Sequence, residues 1–344
     1  MRYLTELFAT VAERVKSPVC IALGAPRPIS HLVAALPGMD ITCFQMDHFP
    51  AERLKEELIE REVVAEVVLA PDLWDLPQKF QTVILPAGAY ADRELKLDML
   101  EQGYHILQPG GLFLTLSEYE KDTQFAKLHK KMFGKCGQTP STEHGIAFFS
   151  TKVADDRPRR RHEVNFHAKH GDGGPSMDFL TRPGIFSYGR MDSGSRALLE
   201  VADIRAGDHI LDLGSGAGAV GCLAASKAGP KGKVTFIDSN LRATQLSDIN
   251  AKANGLTDYT IVTSAKLEGL GMSTFDVVLA NPPYYGDSMV ARLFVQGSRD
   301  LLKTGGRFYI VTKMPTAVVP LIFESFGECD VIENRGYSVV CAVA

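Results

Sequence analysis

The chain alternates short apolar runs with longer segments in which apolar residues recur every three or four positions. The first long segment carries Leu4, Leu7, Phe8, Val11 and Val15, a spacing that predicts an amphipathic helix. Short apolar runs bounded by polar or glycine-rich stretches predict strands. In the C-terminal half, the predicted strands lie at 208–213, 233–238, 259–263, 275–280, 306–312, 327–332 and 337–343.

These strands alternate with helical segments, a pattern typical of a parallel sheet with crossover helices on both faces. The sequence Asn334, Arg335, Gly336 predicts a hairpin between the last two strands. We therefore expect an α/β, Rossmann-like domain with a seven-stranded mixed sheet.

The N-terminal half repeats this pattern. The run at 80–85 aligns with 275–280 at a spacing of 195 residues, and the same spacing superposes Gly110 and Gly111 on Gly305 and Gly306. Further similar pairs follow with small shifts: 21–24 with 211–214, 41–45 with 234–238, and 145–149 with 336–340. Several matches in the same order indicate a duplicated domain. We expect domains at 1–155 and 175–344, joined by a basic linker at 156–174.

A glycine-rich loop follows the first strand of the second domain. Glycines let the backbone turn sharply and approach a ligand, and the helix that follows offers free N–H groups. Its pattern also satisfies the dinucleotide fingerprint. Asp212, two residues before the first glycine, favours a cationic ligand such as S-adenosylmethionine over a pyrophosphate, and Asp238 suits ribose hydroxyls. The predicted cofactor residues are Asp212, Gly214, Ser215, Gly216, Gly218, Asp238, Ser239, Ser264, Ala265 and Asn281.

The fourth strand is followed by Asn281, Pro282, Pro283 and Tyr284, which are the predicted catalytic residues. Two prolines predict a rigid loop at the carboxyl end of the strand, where ligands bind in such folds. The amide oxygen of Asn281 and the carbonyl of Pro282 can each accept one N–H of a planar amine, and Tyr284 can stack on it. This pattern predicts methylation of an exocyclic or amide nitrogen.

The order of these motifs resembles the guanine-N2 ribosomal RNA methyltransferases, in particular methyltransferase C of the small ribosomal subunit and its relative, methyltransferase G of the large one. The segments at 182–187 and 191–196 are similar to the family's entry into its catalytic domain. The resemblance implies two tandem class I methyltransferase domains, S-adenosylmethionine as cofactor, and ribosomal RNA or a ribosomal subunit as partner. It also implies that the N-terminal copy is degenerate and helps to recognise RNA.

The N-terminal copy lacks the chemical groups of the second. Ala22 aligns with Asp212, Gln45 aligns with Asp238, and the sequence at 86–89 replaces the one at 281–284. Without these carboxylates and the amine-binding loop, we expect the first domain neither to bind the cofactor nor to catalyse.

Composition adds few constraints. The net charge of −4 gives no overall attraction to nucleic acid, so an RNA site must be a local patch. The candidates are Arg157, Arg159, Arg160, Arg161 and Lys169; a solvated linker is the other interpretation. The scattered cysteines predict no metal site. No apolar run is long enough to span a bilayer. We expect a cytoplasmic monomer whose two copies form an internal pseudo-dimer.

Three functions remain open on these grounds. The first is methylation of guanine N2 in ribosomal RNA. The second is methyl transfer to a protein glutamine amide or to adenine N6 in DNA or RNA, because the Asn-Pro-Pro-Tyr sequence suits all three acceptors. The third is an NAD-dependent oxidoreductase, which leaves that sequence unexplained.

Overall fold

A computed structural model describes residues 2–88, 92–154, 157–170, 174–267, 269–282 and 288–344. The chain divides into an N-terminal unit, residues 1–162, and a C-terminal unit, residues 163–344. This division falls within the expected linker. Part of that linker, Val164–Lys169, is a strand that pairs with Ser176–Thr181 at the start of the C-terminal unit. The connecting segment is therefore shorter than the sequence suggested.

The N-terminal unit contains seven strands and five helices in its described residues. Its strands are β1 Val19–Ala22, β2 Ile41–Gln45, β3 Glu66–Leu69, β4 Phe80–Ala87, β5 Leu107–Ser117, β6 Gly137–Gln138 and β7 Ile146–Thr151. Its helices are α1 Arg2–Ala9, α2 Pro26–Ala34, α3 His48–Glu60, α4 Arg93–Ile106 and α5 Gln124–Phe133. The helix predicted from Leu4 is present as α1, but it ends at Ala9, before Val11 and Val15.

The C-terminal unit begins with the two-stranded sheet of β8 Val164–Lys169 and β9 Ser176–Thr181. Its main sheet consists of β10 His209–Leu213, β11 Lys233–Asp238, β12 Tyr259–Thr263, β13 Phe275–Ala280, β14 Leu302–Thr312, β15 Asp330–Asn334 and β16 Tyr337–Val343. Its helices are α6 Ser193–Val201, α7 Ala219–Ala228, α8 Leu241–Ala253, α9 Ser288–Leu301 and α10 Pro315–Phe326. All seven predicted strands are present; β14 begins earlier than expected and β15 later.

The two main sheets have the same topology. Their strand orders are β3-β2-β1-β4-β5-β7-β6 and β12-β11-β10-β13-β14-β16-β15, and in each the last pair is antiparallel. Phe80 pairs with Leu107 in one sheet, and Phe275 pairs with Leu302 in the other, each at the spacing of 195 found in the sequence. The two units are therefore tandem Rossmann-like domains of methyltransferase type. Apolar clusters cover both faces of each sheet.

The strand register corrects one alignment made from sequence. Asp212 of β10 pairs with Leu279 of β13. The residue that pairs with the corresponding Ile84 of β4 is Ile21. Ile21, and not Ala22, therefore occupies the position of Asp212 in the N-terminal sheet.

The backbone explains the shift of one residue. Leu23 has a φ of +59°, and Gly214, its counterpart in the corrected register, has a φ of +77°. A leucine thus adopts the left-handed conformation that normally favours glycine, so matching the Leu-Gly pairs by sequence misplaces the turn. Gln45 still corresponds to Asp238, since each lies two residues beyond the β-bridge partner of Ile21 or Asp212.

None of the described helices has both the length and the apolar character that a membrane crossing requires.

Candidate functional site

The candidate site lies at the carboxyl ends of three adjacent strands of the C-terminal sheet. Leu213, the last residue of β10, pairs with Ile237 of β11 on one side and with Ala280 of β13 on the other. The residues that follow these partners are Gly214, Asp238 and Asn281. Parallel pairing therefore brings together three sites that are far apart in the sequence.

The loop between β10 and α7 has a tightly bent backbone. Gly214, Gly216 and Gly218 have φ values of +77°, +54° and +76°, which side chains other than glycine rarely adopt. A Cβ at Gly218 would also lie 3.0 Å from the backbone of Ser247 in α8. The N–H groups of Gly214 and Ser215 donate to the carbonyl of Ile237, at 2.9 and 3.0 Å. The loop is thereby fixed against β11 and α8.

Asp238 holds this loop from the end of β11. Its Oδ2 accepts from the N–H of Gly216 at 2.9 Å, and its Oδ1 accepts from the N–H of Asn240 at 2.9 Å. The N–H of Ser264 donates to its backbone carbonyl at 3.0 Å. The predicted cofactor residues at the ends of β10, β11 and β12 are therefore adjacent, with Ser239 directly after Asp238 and Ala265 after Ser264.

Asp212 lies inside the unit. Its side chain is buried, and Oδ2 accepts from the N–H of Gly221 in the first turn of α7 at 2.8 Å. Burial raises the pKa of the Asp212 carboxyl to about 8. The charge of the neighbouring Asp238 adds to this rise, and the hydrogen bond from Gly221 opposes it. The contact that the structure shows is thus with the helix, and an interaction with a cofactor stays a prediction.

Gly221 has a packing role. A Cβ at this position would lie 2.3 Å from the ring of Phe236 and 2.9 Å from Oδ2 of Asp212. The third glycine of the apparent dinucleotide fingerprint therefore permits close packing of helix and sheet, as it does in dinucleotide-binding folds. This glycine does not distinguish the two kinds of cofactor.

Asn281 is held by two residues at the start of α6. Its Nδ2 donates to Oδ2 of Asp192 at 3.1 Å and to Oγ of Ser195 at 2.9 Å. Asp192 is also the N-cap of α6, because Oδ2 accepts from the N–H of Ser195 at 3.1 Å. With its amide nitrogen directed at α6, the orientation of the Asn281 side chain is fixed.

The sequence did not single out Asp192 and Ser195 for this role. An Asp directly before a helical segment predicts a helix N-cap. Their contact with Asn281, more than eighty residues later in the chain, depends on tertiary packing.

The segment at 182–187, which the sequence singled out only by its resemblance, lies next to the glycine loop. Ile185 is buried, and its Cγ2 is 3.9 Å from the position of a Cβ on Gly216. The fully buried Arg242 donates from Nη1 to the carbonyl of Pro183 at 2.6 Å. Phe186 is 57% exposed. Residues 183–186 therefore form a well-anchored wall beside the loop, with one exposed aromatic ring.

Pro282 is buried directly after Asn281. Pro283 and Tyr284, the other predicted catalytic residues, lie outside the described residues. Within the described ranges, no group of three or more His, Cys, Asp or Glu side chains is arranged to hold a metal ion.

The predicted RNA-binding residues are divided between the two units. Arg157, Arg159, Arg160 and Arg161 belong to the N-terminal unit, and Lys169 is exposed on β8 of the C-terminal unit. The guanidinium of Arg159 lies 5.7 Å from the centre of the Trp74 ring.

The arginine segment is fixed to the N-terminal unit at both ends. Tyr104 donates a hydrogen bond to the carbonyl of Ala154. His162 and Glu101 of α4 are 2.7 Å apart, and the bond to Glu101 raises the pKa of His162. The segment is therefore docked on the unit, in contrast to a freely solvated linker.

Comparison with known proteins places the C-terminal unit in a family. Residues 176–341 match the methyltransferase small domain family. A ribosomal RNA small subunit methyltransferase C from Pseudomonas syringae pv. tomato is 33% identical over 171 residues, which are 48% of this chain and 51% of the relative. The chain thus spans about half the length of that relative. One from Pseudomonas aeruginosa (strain LESB58) is 29% identical over 276 residues, which are 75% of this chain and 80% of the relative.

A solved structure extends the similarity to both units. It is that of a 16S rRNA guanine-N2 methyltransferase from T. thermophilus, in complex with AdoMet and guanosine. It is 21% identical, covers 97% of this chain and 91% of its own, and has a TM-score of 0.77. The C-terminal unit is thus similar in sequence to small-subunit rRNA methyltransferases C, and both units share the fold of one such enzyme.

The extent of the family match agrees with the division into two units. The family match begins at residue 176, on the first residue of β9, and ends within β16. The glycine loop, Asp238 and Asn281 all lie inside it. The N-terminal unit, in which Ile21 and Gln45 replace the two acids, lies outside it.

Proposed function

We propose that this chain transfers a methyl group from S-adenosylmethionine to the exocyclic N2 of guanine in ribosomal RNA. The observation that supports this most strongly is the placement of Asn281. Its amide is fixed by α6 at the end of β13, next to the glycine loop that follows β10 and two strands away from Asp238 at the end of β11. The relatives named above are ribosomal RNA methyltransferases, which favours guanine over the other acceptors.

The residues of the site fit S-adenosylmethionine. The glycine loop offers backbone with little steric cover, since a Cβ on Gly216 would have its nearest neighbour only at 3.9 Å. Each carboxylate oxygen of Asp238 has more than one lone pair, so an oxygen that accepts one N–H can also accept a ribose hydroxyl. When bound, the cofactor supplies an electrophilic methyl group. Ser239, Ser264 and Ala265 are the proposed neighbours of its adenosine part.

Asn281 and Pro282 hold the acceptor. The lone pair of guanine N2 is delocalised into the ring, which makes the amine a weak nucleophile. Because Asp192 and Ser195 bind the amide nitrogen of Asn281, its Oδ1 is the atom that can accept from the N2 amine, together with the carbonyl of Pro282. These two acceptors align the nitrogen and stabilise the positive charge that develops on it. The surplus proton then leaves to solvent.

RNA contact is proposed for the arginine segment of the N-terminal unit. Arg157, Arg160 and Arg161 can pair with phosphates, and the exposed guanidinium of Arg159, which is backed by the buried Trp74 ring, offers a flat surface for an unpaired base. Docking through His162 and Glu101 restricts this segment, which reduces the entropy lost when RNA binds. Lys169 is proposed as a separate phosphate contact on the C-terminal unit.

The test is to follow labelled methyl groups from S-adenosylmethionine into ribosomal subunits, protein-free ribosomal RNA, DNA and release factors. We expect label in RNA, recovered as N2-methylguanosine after digestion. Label in protein alone or in adenine would overturn the guanine assignment. Binding of NAD but not of S-adenosylmethionine, measured by calorimetry, would overturn methyl transfer itself.

A further inference from the structure

The N-terminal unit contains an open cavity of about 510 Å³. It lies between α4 and the segment that joins β5 to α5. Its lining includes Lys96 of α4 and the consecutive residues 118–125. This volume is in the range of small-molecule binding sites.

The position of the cavity corresponds to the acceptor side of the C-terminal site. With the spacing of 195 residues, the segment after β5 corresponds to that after β14, and Lys96 corresponds to a residue in the first turn of α9. In the C-terminal unit these elements flank the end of β13, where Asn281 lies. The cavity is therefore on the side of the sheet where a methyl acceptor would bind, away from the turn that has lost its cofactor groups.

Lys96 is the unusual residue of this cavity. It is 9% exposed, and its ammonium lies 5.4 Å from the centre of the Tyr119 ring. Among the described residues, no hydrogen bond or ion pair of this ammonium accompanies the ring contact. Burial lowers the pKa of Lys96, while the carboxylates of Asp122, Glu118 and Asp92 oppose this effect. A buried cation of this kind is stabilised by a ligand atom that accepts its hydrogen bonds.

The other polar groups restrict what the ligand can be. Asp122 holds the start of α5, since Oδ1 accepts from the N–H groups of Gln124 and Phe125. Glu118 and Glu120 add two more carboxylates to the lining. With three acidic side chains against two lysines, the cavity disfavours a phosphate. It suits a ligand with acceptors on one edge and N–H donors on the next.

We propose that this cavity binds a guanine base of the RNA. Guanine presents the acceptors O6 and N7 beside the donors N1–H and N2–H. Lys96 donates to O6 or N7, and Glu118 and Glu120 accept from the N–H edge. The ring of Tyr119, which is 47% exposed, stacks on the base. The inference rests on the proposed RNA acceptor, and it gives the N-terminal unit a defined part in choosing the substrate.

The test uses the full chain and short RNA. Pentanucleotides with a central guanine, adenine or cytosine between uridines are bound to a chain that carries Asn281→Ala, so that methyl transfer does not interfere. In this background, Lys96→Met and Tyr119→Ala are compared with Lys127→Met. Lys127 is an exposed lysine of α5 outside the cavity lining, so this control removes the same charge.

We expect Lys96→Met to weaken binding of the guanine pentamer about tenfold, and binding of the adenine and cytosine pentamers less than twofold. The affinities of Lys127→Met should be close to those of the parent chain. A central 6-thioguanine should crosslink within residues 118–125, as mapped by mass spectrometry. Crosslinks confined to the C-terminal unit would overturn the proposal, as would equal losses for all three bases. Crosslinking requires no methyl transfer, so a chain without methyltransferase activity could still support this site.

Discussion

The ends of the second strands show how differently the two units are built on one topology. In the C-terminal unit, Asp238 accepts from the N–H of Gly216. In the N-terminal unit, the corresponding Gln45 donates from Nε2 to the carbonyl of Gly24 at 3.3 Å. The side chain supports the turn in both cases, but the direction of the hydrogen bond is reversed.

Two further differences follow along the same edge. α2 begins with prolines at 26 and 28, so two backbone N–H groups are missing from its first turn. The corresponding helix, α7, contains no proline and keeps all of its N–H groups. β4 also continues through Pro86 and Ala87, paired with β5, whereas β13 ends at Ala280 and leaves the sheet at Asn281. The comparison teaches that the N-terminal site differs in its backbone as well as in its side chains. Restoring two acids would not restore the site.

The largest effect is expected for Asn281→Ala. We expect a loss of at least about 100-fold in kcat, because one of two acceptors for the amine is removed. The matched variant is Pro86→Ala at the corresponding position of the N-terminal unit, which should keep the parent rate. Single-turnover methylation of ribosomal RNA measures both. Loss of activity in both variants would contradict the assignment of the site to one unit.

The second test concerns the cofactor. Asp238→Ala removes the proposed ribose acceptor and frees the N–H of Gly216, so S-adenosylmethionine should bind at least about tenfold more weakly. Gln45→Ala in the N-terminal unit should leave the affinity unchanged. Isothermal titration calorimetry checks both values. An unchanged Kd for Asp238→Ala would exclude Asp238 from the cofactor site.

The third test uses the buried carboxyl of Asp212, where the N-terminal unit has Ile21. Its pKa in the folded chain, about 8, lies above the unfolded value. The stabilising effect of its bound proton is therefore complete at acid pH and is lost as pH rises towards 8. Between pH 6 and 8 the parent should lose about 2 kcal/mol relative to Asp212→Asn.

Urea unfolding followed by circular dichroism measures this difference. The fluorescence of Trp74, the single tryptophan of the chain, identifies the transition of the N-terminal unit. If the free energy of unfolding changed with pH equally in the parent and in Asp212→Asn, the carboxyl would be ionised in the folded chain and the prediction would be wrong.

The fourth test addresses the contact that fixes Asn281. Ser195→Ala removes one acceptor of its amide and should lower kcat about tenfold, with KM for RNA within about twofold. Ser193→Ala, an exposed neighbour in the same helix, is the control. A change in KM without a change in kcat would mean that Ser195 does not act through Asn281.

The smallest effect is expected at His129, in the core of the N-terminal unit. Its ring nitrogens lie 2.9 Å from Oγ1 of Thr115 and from Oγ of Ser150, and burial lowers its pKa to about 3. A lowered histidine pKa contributes stability above the unfolded value, and this is lost as pH falls. From pH 7 to 6 the unit should lose about 1 kcal/mol.

Trp74 fluorescence during urea unfolding reports this change directly. In His129→Gln, which cannot titrate, the unfolding midpoint should depend less on pH in this range. The pH dependence of stability would then have opposite signs in the two units: acid destabilises the N-terminal unit, and alkali destabilises the C-terminal unit. An equal pH dependence in parent and variant would contradict the burial of a neutral ring.

Much of the fold could be predicted from the sequence. The spacing of 195 residues between similar runs predicted the duplication, because a repeated alternation of strands and helices folds into the same sheet twice. The proximity of the loop glycines and Asp238 was also predicted, since parallel strands bring their carboxyl ends to one edge. The position of Asn281 at the carboxyl end of β13 was predicted because the two prolines that follow it cannot continue a strand.

Other features depend on packing that no local pattern encodes. The sequence aligned Ala22 with Asp212, since it could not show that Leu23 adopts a glycine-like conformation. The burial of Asp212 follows from the close approach of α7 at Gly221. The contacts of Asp192 and Ser195 with Asn281 join distant parts of the chain, and so does the docking of the arginine segment on Trp74 and Glu101.

The anchoring of α6 has a consequence for synthesis on the ribosome. Glu200, near the end of α6, accepts from Nε and Nη2 of Arg335 at 2.7 to 3.0 Å and from Asn334 at 2.9 Å. These residues emerge from the ribosome 134 and 135 positions after Glu200. The contacts of Glu200 at the end of this helix therefore form only after Asn334 and Arg335 have been synthesised. A nascent chain that ends just before them already contains Asn281 but lacks these contacts to the helix that orients it.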